Sequence, residues 1–262
     1  MATNLAEILE TTRAGLAGLR SRAAELERAA AAAPAPPAFA AGFSGEQIGL
    51  VAEVKRRSPS AGVIRAELDP AEQAECYARH GAAAVSVLTD GPYFGGSIAD
   101  LEAVTQRITR PVLRKDFILD EMQVLEARAA GASAVLLIVR ALPPARLRQL
   151  LDFTRANGLE ALVEIHAPGE LDSALASGAR ILGVNSRDLD TFRIEVDAAW
   201  RLLAAVPRNC VAVAESGMTT VADVERAAKA GADGVLVGTA LSASADPGPQ
   251  VRAFAEVRRR GR

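Results

Sequence analysis

Cysteine is scarce in this chain: Cys76 and Cys210 are the only two in 262 residues, far apart and in no paired motif. That excludes a disulfide framework and fits a reducing compartment, with both thiols read as small apolar packing residues. Histidine is equally sparse. His80 and His166 stand apart with no ligand spacing, so no metal is expected; His80 reads as a helix end and His166 as a structural or surface residue. An excess of one charge is nearly absent too. The 30 basic and 32 acidic residues leave a net charge of −2, which supplies no long-range field for nucleic acid or an anionic membrane, so any anion must be bound locally. No apolar run reaches membrane-spanning length, and residues 1–7 lack a basic segment followed by an apolar core. A cytoplasmic protein is expected.

What the chain does have is apolar material, half of its residues, and a regular alternation of patterns. Leu5, Ile8, Leu9, Leu16, Leu19 and Leu26 recur at helical spacing through Ala-, Glu- and Arg-rich sequence, which predicts one or two amphipathic helices ended by Pro34 to Pro37. From residue 50 onward, β-rich apolar runs near 49–55, 83–89, 112–115, 134–139, 160–164, 181–185, 211–215 and 234–237 alternate with helical segments. Those segments start near Pro70, Ser97, Asp120, Pro143, Pro168, Val196, Thr220 and Pro249, several on a proline or small polar residue that suits a first helical turn.

A Gly-Ala pair recurs at Gly81, Gly131, Gly178 and Gly231, each after a helical pattern and before an apolar strand. Its period of about 50 residues holds two strand-helix units, giving room for eight, the number that closes a barrel. An open doubly wound sheet shares the alternation, but here polar residues end many strands rather than clustering at one switch point. The expected fold is α/β: a single (β/α)8 TIM barrel over residues 46–262, with residues 1–45 as an N-terminal helical extension packed on it. The basic C-terminus, Arg258 to Arg262, reads as a solvated, frayed tail.

In such a barrel the loops after the strands form the functional face. Reading only those ends gives Glu53 with Lys55, Thr89-Asp90, Lys115-Asp116, Arg140, Glu164, Asn185 with Arg187, Glu215-Ser216-Gly217 and Gly238-Thr239. Glu53 and Lys55 are two apart on one strand, so both side chains enter one space about 6–7 Å apart. The strand then breaks at Ser58-Pro59-Ser60. The glycines at the last two strand ends leave backbone N–H groups open to an anion, at the position where barrel enzymes usually hold phosphate, with Ser58 and Arg187 as further donors. Phe94, Phe117 and Leu136 are candidates for an apolar wall, and the glycines around Phe94 suggest a loop that closes over substrate.

Taken together, Glu53 to Ser60, Leu113 to Phe117, Val163-Glu164, Val184 to Leu189 and Ala214 to Gly217 resemble the indole-3-glycerol-phosphate synthase family of tryptophan biosynthesis, from about residue 5 to about residue 250. Thr89-Asp90 with Tyr93 to Ser97 is similar to the family's second strand-loop. The resemblance implies a cytoplasmic lyase, a decarboxylase working without metal or other cofactor. It would close 1-(2-carboxyphenylamino)-1-deoxyribulose 5-phosphate into indole-3-glycerol phosphate with loss of carbon dioxide and water. It implies a catalytic set of Glu53, Lys55, Lys115, Glu164, Asn185, Glu215 and Ser216, with Lys115 as general acid at the substrate ketone, Lys55 beside the substrate carboxylate and Glu164 against positive charge on the anilino nitrogen. Glu53 and Asn185 would orient Lys55 and the substrate hydroxyls; phosphate would lie on Ser58, Arg187, Gly217, Gly238 and Thr239. Ser186, Ala61 and Arg57 depart from residues common in the family without removing any of these groups. The expected partner is the sugar-phosphate substrate alone, on a monomer or weak homodimer. A phosphoribosylanthranilate isomerase would need a cysteine and an aspartate at strand ends, whereas Cys76 falls in a helix pattern and Cys210 at a strand start. A catalytically silent sugar-phosphate barrel would be expected to lack a lysine or Glu164, and none is missing.

Overall fold

A computed structural model describes residues 4–191 and 193–261. Eight parallel strands close in sequence order: β1 Gly49–Val54, β2 Ala84–Leu88, β3 Val112–Lys115, β4 Ala134–Ile138, β5 Glu160–Ile165, β6 Ile181–Asn185, β7 Val211–Glu215 and β8 Gly234–Val237, the last pairing back onto β1. Their residues are almost all buried, as strands covered by helices outside and side chains inside must be. The recurring glycines end helices as expected. Gly81, Gly131, Gly178 and Gly231 have φ of 101°, 80°, 91° and 101°, and the following residue's N–H returns to a carbonyl five residues back, as from Ala82 to Tyr77. Gly158, with φ 73°, does the same before β5; the Gly-Ala pattern misses it because Leu159 follows.

The N-terminal residues form two helices, α1 Leu5–Ser21 and α2 Ala23–Ala32. Asn4 caps α1 in a reciprocal capping box with Glu7. The pair runs down the outside of the helix Glu121–Ala129: Arg20 pairs with Asp120 at its start, Leu26 and Ala30 pack on Leu125, and Arg128 donates to the carbonyls of Ala33 and Pro34 at its end. The chain then turns under the barrel, where Phe39 and Phe43 meet edge to face at 5.3 Å and plug the N-terminal rim. Gly49 and Gly234 make room, since a Cβ on Gly234 would stand 2.5 Å from the Phe43 ring.

The C-terminus corrects the reading of a frayed tail. Gln47 pairs with Arg258, the Arg259 N–H donates to the Glu46 carbonyl, and the Arg259 guanidinium donates to the Phe43 carbonyl and pairs with Asp233. This segment is fastened across the same rim because a guanidinium there finds a carbonyl and a carboxylate together; Arg262 lies outside the described residues. Among the described residues no helix is long and apolar enough to cross a membrane.

Candidate active site

Side chains from separate strands converge on one cavity of about 460 Å³ at the C-terminal rim, a size suited to a small-molecule site. The fifteen residues expected to act in catalysis, phosphate binding or the apolar wall all line it: Glu53, Lys55, Ser58, Phe94, Lys115, Phe117, Leu136, Glu164, Asn185, Arg187, Glu215, Ser216, Gly217, Gly238 and Thr239. Thr89, Asp90 and Arg140, also strand-end residues, serve as framework. Thr89 donates to Asp116 beside buried Arg114, Asp90 accepts from the N–H groups of Tyr93 and Phe94, and Arg140 pairs with Glu170 and Asp188.

The charged floor consists of two lysines among three carboxylates. Lys55 Nζ donates to Glu53 Oε1 at 2.7 Å, the pairing that period-two spacing on β1 dictates. Lys115 Nζ donates to Glu164 Oε2 at 3.2 Å and stands 3.7 Å from Glu215 Oε2, joining β3, β5 and β7. Glu164 and Glu215 are each 1 % exposed, so their protonation states are set by neighbours rather than by water. Burial works against charge on Glu164, but Lys115 and then His166 outweigh it and hold the carboxyl well below the usual carboxylate range. Burial and the adjacent Glu164 push Glu215 well above that range, so of the two carboxyls Glu215 is the one that holds a proton more readily. Lys115 is opposed by burial yet raised above an ordinary lysine by Glu164, Glu215 and Glu53, and it stays an ammonium. The site thus holds a fixed carboxylate, a fixed ammonium and a second carboxyl of raised pKa within reach of one another.

The rim above carries donors and apolar surface. After β1 the chain forms a two-stranded hairpin, Arg57–Ser58 with Gly62–Val63; the break at Ser58-Pro59-Ser60 is its turn, and strands of two residues are too short to show a pattern. Ser58 Oγ accepts from the Ala61 N–H, which presents this turn to the cavity. Ser216 and Gly217 both have left-handed backbone, φ 64° and 77°, unusual for serine and a mark of a constrained turn. Gly238 precedes the short helix Thr239–Ala243, whose first turn leaves N–H groups without intrahelical partners. Asn185 Oδ1 accepts from the Arg187 N–H, which starts the loop that delivers Arg187 to the cavity.

On the opposite wall the Phe94 and Phe117 rings lie 6.2 Å apart. The glycine-rich stretch around Phe94 differs from a free loop. Gly91–Phe94 is a capped helical turn, Arg57 donates to the Pro92 carbonyl, Arg56 donates to the Gly95 carbonyl, and Tyr93 Oη lies 2.8 Å from Thr11 Oγ1 of α1.

For one side chain the structure keeps the structural reading and removes the surface one. His166, taken as structural or surface, has a side chain only 3 % exposed, with Nε2 3.3 Å from Glu164 Oε1 and Nδ1 3.6 Å from Glu170 Oε2. The signal was available: residues 164 and 166 are two apart at a strand end, the same spacing that couples Glu53 to Lys55. Leu189, Ile194 and Met218 also line the cavity and carry no pattern that would single them out. Among the described residues no three His, Cys, Asp or Glu side chains are grouped to hold a metal ion.

The profile of the family described as indole-3-glycerol phosphate synthase matches residues 5–254. The chain is 45 % identical over 238 residues to an indole-3-glycerol phosphate synthase of Dehalococcoides mccartyi, covering 89 % of this chain and 92 % of that one. It is 46 % identical over 248 residues to the proteins of the same name in Mycobacterium ulcerans and Mycobacterium tuberculosis, covering 94 % of this chain and 91 % of each relative. Among solved structures, a 3-hexulose-6-phosphate synthase from Salmonella typhimurium shares the fold at TM-score 0.63 and 17 % identity, covering 80 % of this chain and 97 % of that one. A thiamine phosphate pyrophosphorylase from Pyrococcus furiosus does so at 0.59 and 18 %, covering 80 % and 94 %.

Proposed function

The chain belongs to the indole-3-glycerol phosphate synthase family, and from that premise we propose that its cavity closes 1-(2-carboxyphenylamino)-1-deoxyribulose 5-phosphate into indole-3-glycerol phosphate, releasing carbon dioxide and water. The observation that carries this reading is the convergence of Lys115, Glu164 and Glu215 beside the Glu53–Lys55 pair. Condensation needs an acid at the ketone oxygen and negative charge near the cation that forms when the ring attacks. In this reading Lys115 protonates the ketone oxygen as the ring carbon bearing the carboxylate bonds to the ketone carbon. Its raised pKa keeps it charged until oxyanion character develops. Glu164 faces the anilino nitrogen, stabilises its positive charge until loss of carbon dioxide restores the aromatic ring, and takes the proton that leaves the methylene carbon as water departs. Lys55 holds the departing carboxylate and serves the later loss of water. Glu53 and Asn185 orient Lys55 and the sugar hydroxyls, and Glu215, with its raised pKa, leaves Glu164 as the stronger carboxylate partner of Lys115.

The remaining lining residues divide the substrate between them. Phe94, Phe117 and Leu136 flank the aromatic ring, while Ser58, Arg187, Gly217, Gly238 and Thr239 take the phosphate through side-chain and backbone donors. Ser216 shares the wall with Glu215. A cytoplasmic setting belongs to the same reading, supported by a sequence with only two, widely separated cysteines. The test is direct. Purified protein mixed with the carboxyphenylamino deoxyribulose phosphate develops indole fluorescence, and Lys115→Ala cuts turnover at least ~10²-fold with the fold retained. Turnover of phosphoribosylanthranilate in place of that signal, or a Lys115→Ala enzyme with near-parental turnover, overturns the assignment.

A further inference from the structure

His166 is the buried titratable group that the reaction as described leaves unused. Its ring lies behind Glu164, on the side of the carboxylate opposite Lys115: Lys115 Nζ is 3.2 Å from Oε2 and His166 Nε2 is 3.3 Å from Oε1. The other ring nitrogen is 3.6 Å from Glu170 Oε2, and the same oxygen accepts the His166 backbone N–H at 2.7 Å. Arg140 Nε in turn donates to Glu170 Oε1 at 3.1 Å and Nη1 to Asp188 Oδ2 at 3.3 Å, on the loop that begins at Arg187. The charged groups around the imidazole are therefore Glu164 from its own strand, Glu170 from the helix Pro168–Ala176, and Arg140 from the turn after β4. Asp188 lies beyond Arg140 and Lys115 beyond Glu164.

We propose that His166 is a positioning residue for the ring closure: its imidazolium bridges Glu164 and Glu170 and fixes the Glu164 carboxylate with Oε2 presented to Lys115 and substrate. The proposal rests on the reading of Glu164 as the catalytic carboxylate. Neither ring nitrogen makes an aligned hydrogen bond, so charge and proximity, rather than directed bonding, hold the bridge. Burial opposes the charge on His166, but Glu164 and Glu170 outweigh it and lift its pKa from 6.5 to about 9. Without that cation, three buried carboxyl groups share two lysines, and Glu164 Oε1 is left facing Glu170 with no positive charge between them. A carboxylate in that position takes up a proton more readily and loses its fixed rotamer.

The test uses the full-length enzyme with its sugar-phosphate substrate, and NMR of the two histidine rings. Loss of one ring resonance in H166Q assigns His166, which is expected to stay charged at pH 8. H166Q keeps bulk without charge and is expected to lower kcat about 10- to 100-fold at pH 7, with KM changed by less than about threefold. Its acid limb of kcat should move to higher pH, a displacement that loss of packing alone would not cause. E170Q retains the imidazole but removes one carboxylate; the His166 midpoint and the alkaline limb should then both fall, and this variant decides the matter if H166Q does not fold. A neutral His166 at pH 7, or an H166Q profile superimposable on the parent while E164Q is inactive, overturns the positioning role alone. Near-parental kcat in E164Q removes the catalytic reading of Glu164, and the proposal with it.

Discussion

Glycine decides as much about this site as the charged residues do. A Cβ built on Gly183 of β6 would overlap Glu215 Oε1, and one on Gly238 would overlap Glu53 Oε1 and come within 2.9 Å of Lys55 Nζ. Gly183→Ala is therefore expected to displace the Glu215 carboxyl and lower kcat about 10²-fold, with the far-UV dichroism unchanged; parental turnover would mean that Glu215 finds an equivalent place. Gly183 was not legible in the sequence, because its role is to be absent from space that a residue on the next strand fills. His166 offers a pH test at the same scale. Its folded pKa is raised, so the stability it contributes is complete below 6.5 and is lost as pH rises through about 9. Urea denaturation between pH 6 and 10 should show the parent losing its advantage over H166Q across that window, and a constant difference would contradict the pairing.

Helix starts and stops were readable because each depends on a few adjacent residues. The helix Val221–Lys229 begins at Thr220, whose side chain accepts the Asp223 N–H, while Asp223 accepts from the N–H groups of Thr219 and Thr220. Burial opposes charge on Asp223, but those N–H groups, the Thr220 hydroxyl and Arg226 hold its carboxyl far below the usual range. Asp223→Ala is expected to cost about 1 kcal/mol at neutral pH, read as a lower urea midpoint. The difference should shrink as acid protonates Asp223 in the parent, since a depressed pKa stabilises only above it. The hairpin after β1 was less legible than the helices. Its two-residue strands are held by Arg56, whose carbonyl accepts from Ile64 and Arg65 and whose guanidinium pairs with Asp100, contacts that no local pattern announces.

The whole molecule separates its two rims. Chemistry gathers at the strand C-termini, while Phe39, Phe43 and Arg259 close the other end. Phe43→Ala should thus remove about 3–5 kcal/mol of stability and leave kcat and KM near parental values at low temperature. Equilibrium denaturation and turnover measured on one preparation check this, and a matching fall in kcat would show that the rims are coupled. The eight strands, four of the helix-ending glycines and most of the polar strand-end candidates were legible in the sequence alone, because period-two alternation, helical spacing and strand-end position are properties of short segments. Only the tertiary structure decided that the Glu215 pKa is raised, that His166 lies buried between Glu164 and Glu170, and that the terminal arginines fasten the lower rim. Each of those depends on which buried groups lie within a few ångströms across the closed barrel, and Coulomb interaction and desolvation follow distance in space, not separation along the chain.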